Sequence, residues 1–173
     1  MTTKHSRNAR ALLPLACSIL AVCASGGAFA GEAAAEASAQ GLNQGQNILH
    51  RICARQFEIA QKTDMESFRD YDAATFRAIH DERAITVFDS GGTRIGIDAI
   101  MTALASHFTN REAKWSWTER YRVVDGCRSA YILYETVYEI PRIGYRQKAL
   151  TGVTYTHDGF KWLAIADQGT KLP

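Results

Sequence analysis

The chain has 173 residues, 46% hydrophobic and 22% charged, with 20 basic and 18 acidic side chains. That length suits one domain with one core, and the near balance of charge leaves no basic excess to hold nucleic acid or an anionic membrane surface. The small positive surplus lies at the start, because residues 1–30 hold three basic and no acidic residues and the remainder carries 17 against 18, a net of −1.

Those first residues have their own pattern. Lys4, Arg7 and Arg10 precede an apolar run from Ala11 to Val22, and Ala28 and Ala30 form an A-x-A arrangement before Gly31. A basic start, a short apolar stretch and a small-residue site predict a signal peptide over residues 1–30. The run is short of the roughly 20 apolar residues a spanning helix needs. The expected mature protein is therefore secreted or periplasmic, with no membrane attachment after cleavage. Gly31–Gln46 is small and polar, lacks core-building side chains and reads as a flexible linker. Residues 47–173 are left as the domain. Cys53 and Cys127 are its two cysteines. They either pair in an oxidising compartment or stay as buried thiols. No CxxC and no clustered His and Cys predicts a metal site, and no glycine-rich phosphate loop predicts a cofactor.

From Gln46 to Lys62, Ile48, Ile52, Phe57 and Ile59 recur at helical spacing. "KTD" interrupts the pattern, and Asp64 reads as the N-cap of a second helix whose stripe is Met65, Phe68, Tyr71, Phe76 and Ile79. Ala84–Phe88 reads as a short strand, "DSGG" as a turn, and Ala99–Phe108 as a third helix after Asp98. The remainder alternates in the manner of strands: Lys114–Val124, Arg128–Ile140, Tyr145–Thr156 and Phe160–Gln168. Asp125-Gly126 and Asp158-Gly159 are hairpin signals between them. The order predicts an α+β fold, with three N-terminal helices on one face of a curved antiparallel sheet.

A two-residue turn at Asp125-Gly126 pairs Val124 with Cys127. Trp115, Trp117, Glu119, Tyr121, Ile132, Tyr134 and Tyr138 then share an aromatic face whose lone carboxylate is Glu119. A three-residue loop with a glycine bulge shifts the register by one and sets Glu135 opposite Trp115 instead. At Asp158-Gly159 the same reasoning pairs Tyr155 with Trp162, and it groups Asp167 with Leu150, Thr154, Leu163 and Ile165. Both faces of this sheet are apolar. Helices cover one, and a second copy of the chain is expected on the other, giving a homodimer.

The helix-break-helix start, "AIHDERAITVF", "GTRIGIDAIM" opening a helix, and four closing strands ending in "FKWLAIADQ" resemble the NTF2-like superfamily, nearest to its SnoaL-like and ketosteroid-isomerase-like branch. The resemblance covers about residues 47–168. It implies a cone with a pocket for a small apolar molecule, frequent dimers, and in some members pocket carboxylates that move protons. The steroid isomerases' base falls nearest Asp89 with a one-residue shift, and their first-helix tyrosine falls on Phe57, so their specific chemistry is not carried over. The leading expectation is a non-catalytic small-molecule binder without cofactor. The alternatives are an isomerase- or cyclase-type enzyme and an interaction module with a filled pocket. Glu119 and Asp167 are the candidate acid/base groups, because a carboxylate among aromatic side chains rises in pKa. Trp115, Trp117, Tyr121, Tyr134, Tyr138 and His107 are the candidate ligand contacts, each equally plausible as plain core or rim. His80 reads as a helix end and His157 as exposed beside a turn.

Overall fold

The computed structural model describes the backbone over residues 29–173 and the side chains from Asn47 onward. The predicted leader falls almost wholly outside the described residues. The chain divides into two units, residues 1–38 and 39–173, and the second holds the sheet. Helix α1 runs without a break over Phe29–Arg69. Residues 31–46 are thus helical backbone rather than the expected coil. Ala33, Ala34, Ala35 and Ala37 are among the best helix formers, and a lack of core-building residues argues against packing, not against helix. The break expected at "KTD" is also absent: the Thr63 hydroxyl donates to the Ile59 carbonyl (2.9 Å) and the Ser67 hydroxyl to the Asp64 carbonyl (2.8 Å), both within the helix.

The true break comes later. Tyr71 takes a left-handed φ of 60°, and Asp72 caps the short helix α2, Ala73–Ala78, by accepting from the Thr75 amide at 3.0 Å. The Tyr71 hydroxyl bonds to the Ala113 carbonyl, which fixes this uncommon conformation. Then follow β1 (His80–Val87), β2 (Thr93–Ile95), α3 (Ile97–Asn110), β3 (Lys114–Asp125), β4 (Ser129–Ile140), a 3-10 turn (Pro141–Ile143), β5 (Tyr145–His157) and β6 (Trp162–Lys171). They form one sheet in the order β2-β1-β6-β5-β4-β3. It is antiparallel except where β1 runs parallel to β6, so the expected all-antiparallel sheet is mixed.

Both hairpin registers differ from expectation. The first turn uses three residues, with Gly126 at φ 57°, and pairs Asp125 with Ser129. A bulge at Arg120 then brings Glu119 opposite Tyr134 and Trp117 opposite Thr136. Beyond the bulge the register differs by two residues from the two-residue-turn reading. Side chains alternate with a period of two, so Trp115, Trp117 and Glu119 keep their expected face. Tyr121 lies on the turn side of the bulge, opposite Leu133, and passes to the outer face. In the second hairpin the Asp158 carboxylate accepts from the Phe160 and Lys161 amides, both at 2.8 Å. That bonding builds a four-residue loop and pairs His157 with Trp162. A bulge at Ile165 then sets Asp167 opposite Val153.

The core has two parts. Phe57 and Met65 of α1 pack on Ile132, Tyr134, Val153, Tyr155 and Trp162. Phe76, Ala84, Ile97, Ile100 and Phe108 form the other cluster, around α2 and α3. A disulfide joins Cys53 to Cys127 across a Cα–Cα separation of 5.3 Å and ties α1 to the β3–β4 turn. Among the described residues no helix is long and apolar enough to cross a membrane.

Candidate functional site

Between the helices and the inner face of the sheet lies a partly open cavity of about 330 Å³. Its walls are largely apolar: Met65, Phe68, Phe76, Leu104, Trp115 and Tyr138. Phe68 stacks on His107 with centroids 3.8 Å apart and meets Trp115 edge-on at 5.2 Å. Three acids, Asp64 from α1, Asp89 after β1 and Asp167 from β6, open into this apolar space.

Asp64 is buried. It shares the face of α1 that carries Phe57, Gln61 and Phe68, at steps of four, three and four residues. The Tyr155 hydroxyl donates to its Oδ2 at 2.5 Å, and His80 Nε2 stands 4.0 Å from its Oδ1. Burial raises the Asp64 pKa, and neither the His80 charge nor the Tyr155 hydrogen bond offsets it. His80 is itself buried, with Nδ1 donating to the Phe76 carbonyl at 2.7 Å, so Nε2 is the nitrogen turned toward the acid.

Asp167 sits in the middle of β6, flanked by Thr86 on β1 and Val153 on β5. It is half-buried, and its surface opens into the cavity. Burial first, and the negative charge of Asp64 second, push its pKa up to about 7. Such a carboxyl exchanges a proton readily near neutral pH.

Four of the other expected residues keep to the site only in part. Trp115, Tyr138 and His107 line the cavity. The Trp115 indole N–H has no partner among the described residues. His107 Nε2 donates to the Phe68 carbonyl at 2.7 Å, which leaves Nδ1 to accept from the Tyr138 hydroxyl at 3.1 Å. Burial also lowers the His107 pKa, so the ring is neutral. Tyr134 is buried in the core and donates to Gln61 Oε1, away from the cavity lining.

The other three lie elsewhere. Trp117 packs beneath the Arg69 guanidinium, 5.5 Å from the ring centroid, and does not line the cavity. Tyr121 is exposed on the outer face because of the Arg120 bulge. Glu119 is a correction. It shares the helix-facing side as expected, but β3 is the edge strand, where solvent enters. Its carboxylate pairs with Arg122 at 2.6 Å and has no place on the cavity wall. Glu135, by contrast, is an outer-face residue, paired with Arg120 and Lys148.

No family model and no curated protein matches the chain. Solved structures do. An NTF-2-like protein of unknown function from Shewanella oneidensis MR-1 superposes with a TM-score of 0.58 at 12% identity, over 68% of this chain and 98% of that one. The chain has an NTF2-like fold. An uncharacterised cystatin-like-fold protein from Caulobacter vibrioides gives 0.59 at 16% identity, over 69% and 89% of the two chains. A ketosteroid isomerase-like protein from Erwinia carotovora atroseptica gives 0.57 at 11%, over 67% and 93%. The NTF2-like cone places the acids where strand and helix converge, and two residues outside the expected set, Asp64 and His80, carry much of its polar floor.

Proposed function

We propose that this NTF2-like protein takes a small, largely apolar molecule into its cone and moves a proton on it. The observation that carries this reading is the pair of acids with raised pKa, Asp64 buried and Asp167 half-buried, that face an aromatic cavity. A cavity built only to hold a neutral apolar molecule gains nothing from two desolvated carboxyl groups, which cost stability when ionised. The reading therefore departs from the non-catalytic binder and favours the isomerase- or cyclase-type alternative. Asp167 is the acid/base group, since no described side chain occupies it. Asp64, held by Tyr155, adds to the burial that raises the Asp167 pKa. The Tyr138 hydroxyl gives its proton to His107 Nδ1, which leaves its oxygen as an acceptor at the cavity wall.

The test is hydrogen–deuterium exchange at carbon. Small cyclic ketones are incubated with the protein in D2O and exchange beside the carbonyl is followed by NMR. Exchange above background is expected, reduced by about 100-fold or more in Asp167→Asn. Exchange at the same rate in that variant removes Asp167 from the role.

Export to an oxidising compartment and homodimerisation belong to the same proposal. The leader pattern and the Cys53–Cys127 bridge support the first. The outer face of the sheet supports the second, where Tyr131, Leu133 and Leu150 are only half-covered.

A further inference from the structure

The cavity carries acids and, among the described residues, no lysine or arginine. Asp64, Asp89 and Asp167 all line it. Asp64 has the Tyr155 hydroxyl as donor, and Asp89 accepts from the Gln147 side-chain amide. Asp167 accepts from no donor among the described residues, although it is half-buried and lines the cavity. A half-buried, unpartnered acid wants a positive or hydrogen-bond-donating group. The histidines do not supply one: His107 is neutral with both nitrogens engaged, and His80 faces Asp64. The cavity wall includes the aromatic side chains Phe68, Phe76 and Trp115, and aromatic rings attract cations. An anionic ligand would meet three acids at once. A neutral one would leave Asp167 without a counter-charge.

We propose that the cavity selects a small organic amine in its protonated form, with the ammonium on Asp167 and the hydrocarbon body against Phe68, Phe76 and Trp115. This rests on reading the cone as a small-molecule site and adds the charge of the molecule. Binding expels the Asp167 proton, because a carboxylate paired with an ammonium stays ionised. The groups facing Asp167 are Asp64 from α1, His80 from β1, Asp89 after β1, His107 from α3 and Tyr155 from β5. None is a permanent cation that would compete for it.

The experiment uses three probes with one body and three charges: 2-phenylethylamine, 2-phenylethanol and phenylacetate. Calorimetry at about pH 8 is expected to show the amine at least about tenfold tighter than the alcohol, with phenylacetate weakest. Amine affinity should fall several-fold toward about pH 6, with a binding enthalpy that depends on the buffer's own ionisation and so reports proton release. Asp167→Asn should abolish the preference for the amine over the alcohol. Should that variant not fold, the pH series and buffer dependence on the native chain decide.

Equal or tighter binding of the alcohol or of phenylacetate overturns the amine assignment and leaves the small-molecule reading standing. No binding of the amine overturns it as well. If none of the three probes, nor neutral Nile red, enters the cone, the small-molecule reading falls with it. Loss of carbon–hydrogen exchange alone bears on proton transfer, not on the charge of the ligand.

Discussion

Asp167 loses its proton near pH 7 in the folded chain, whereas an aspartate in an unfolded chain does so near 3.9. Between those values the folded state holds a proton that the unfolded state has released. Stability therefore falls as pH rises through this window, and the full loss is present above about pH 7. The difference is on the order of 3 kcal/mol, lessened by water in the cavity. Asp64 acts in the same direction, since its pKa is also raised by burial. Asp167→Asn removes the ionisation, so the variant should gain little at about pH 4 and melt several degrees higher than the wild type at about pH 8. Scanning calorimetry at the two pH values checks this; equal shifts at both would remove the linkage.

Asp167 was recognisable in the sequence as a lone charge in an apolar strand. Asp64 was harder to see, because "KTD" is a natural place to end a helix. Its signal was the heptad spacing that puts it beside Phe57 and Phe68 on a buried stripe. Glu119 misled for a reason no local pattern reveals: which strand ends the sheet is decided by the pairing of β1 with β6, far away in the chain.

At the level of elements, the closing strands were legible from alternation and Asp-Gly turns, and their bounds differ little from those expected. The registers were not, because side chains intervene. Asp158 bonds to the backbone of its own loop, and Cys127 has to reach Cys53 on α1. That bridge closes a loop of 74 residues. In the chain-entropy picture a cross-link over such a loop removes about 4 kcal/mol of unfolded-state freedom. Replacing both cysteines by serine should lower the urea midpoint by the corresponding amount, and reducing agent should have the same effect on the native chain. Trp162 donates its indole N–H to the Cys53 carbonyl at 3.1 Å, so its fluorescence reports the transition at the point where the bridge acts.

For the molecule as a whole, the sheet has two differently used sides. The inner side makes the core and the cavity. The outer side carries Tyr131, Leu133, Leu150 and Thr154 around Gly152, with the Tyr131 hydroxyl lying over the glycine. A methyl group at Gly152 would come within 2.5 Å of that oxygen, so the close packing requires glycine. A second copy is the proposed cover for this face. Sedimentation velocity of the mature chain should give a dimer at micromolar concentration, and Leu133→Arg should give a monomer with unchanged helix content. A wild-type monomer throughout the range would leave the outer face as open surface.

The bulge at Ile165 decides on which side of the sheet Asp167 stands. Were β6 to pair without the bulge, Ile165 would stand opposite Thr154 and Asp167 opposite Gly152, and the acid would turn out of the cone while every chemical group in the chain stayed the same. In this architecture a reactive centre can thus arise or vanish through the register of a strand. Descent by small insertions and deletions, and not by substitution alone, is then a route by which chains sharing this shape come to differ in what their cones can do.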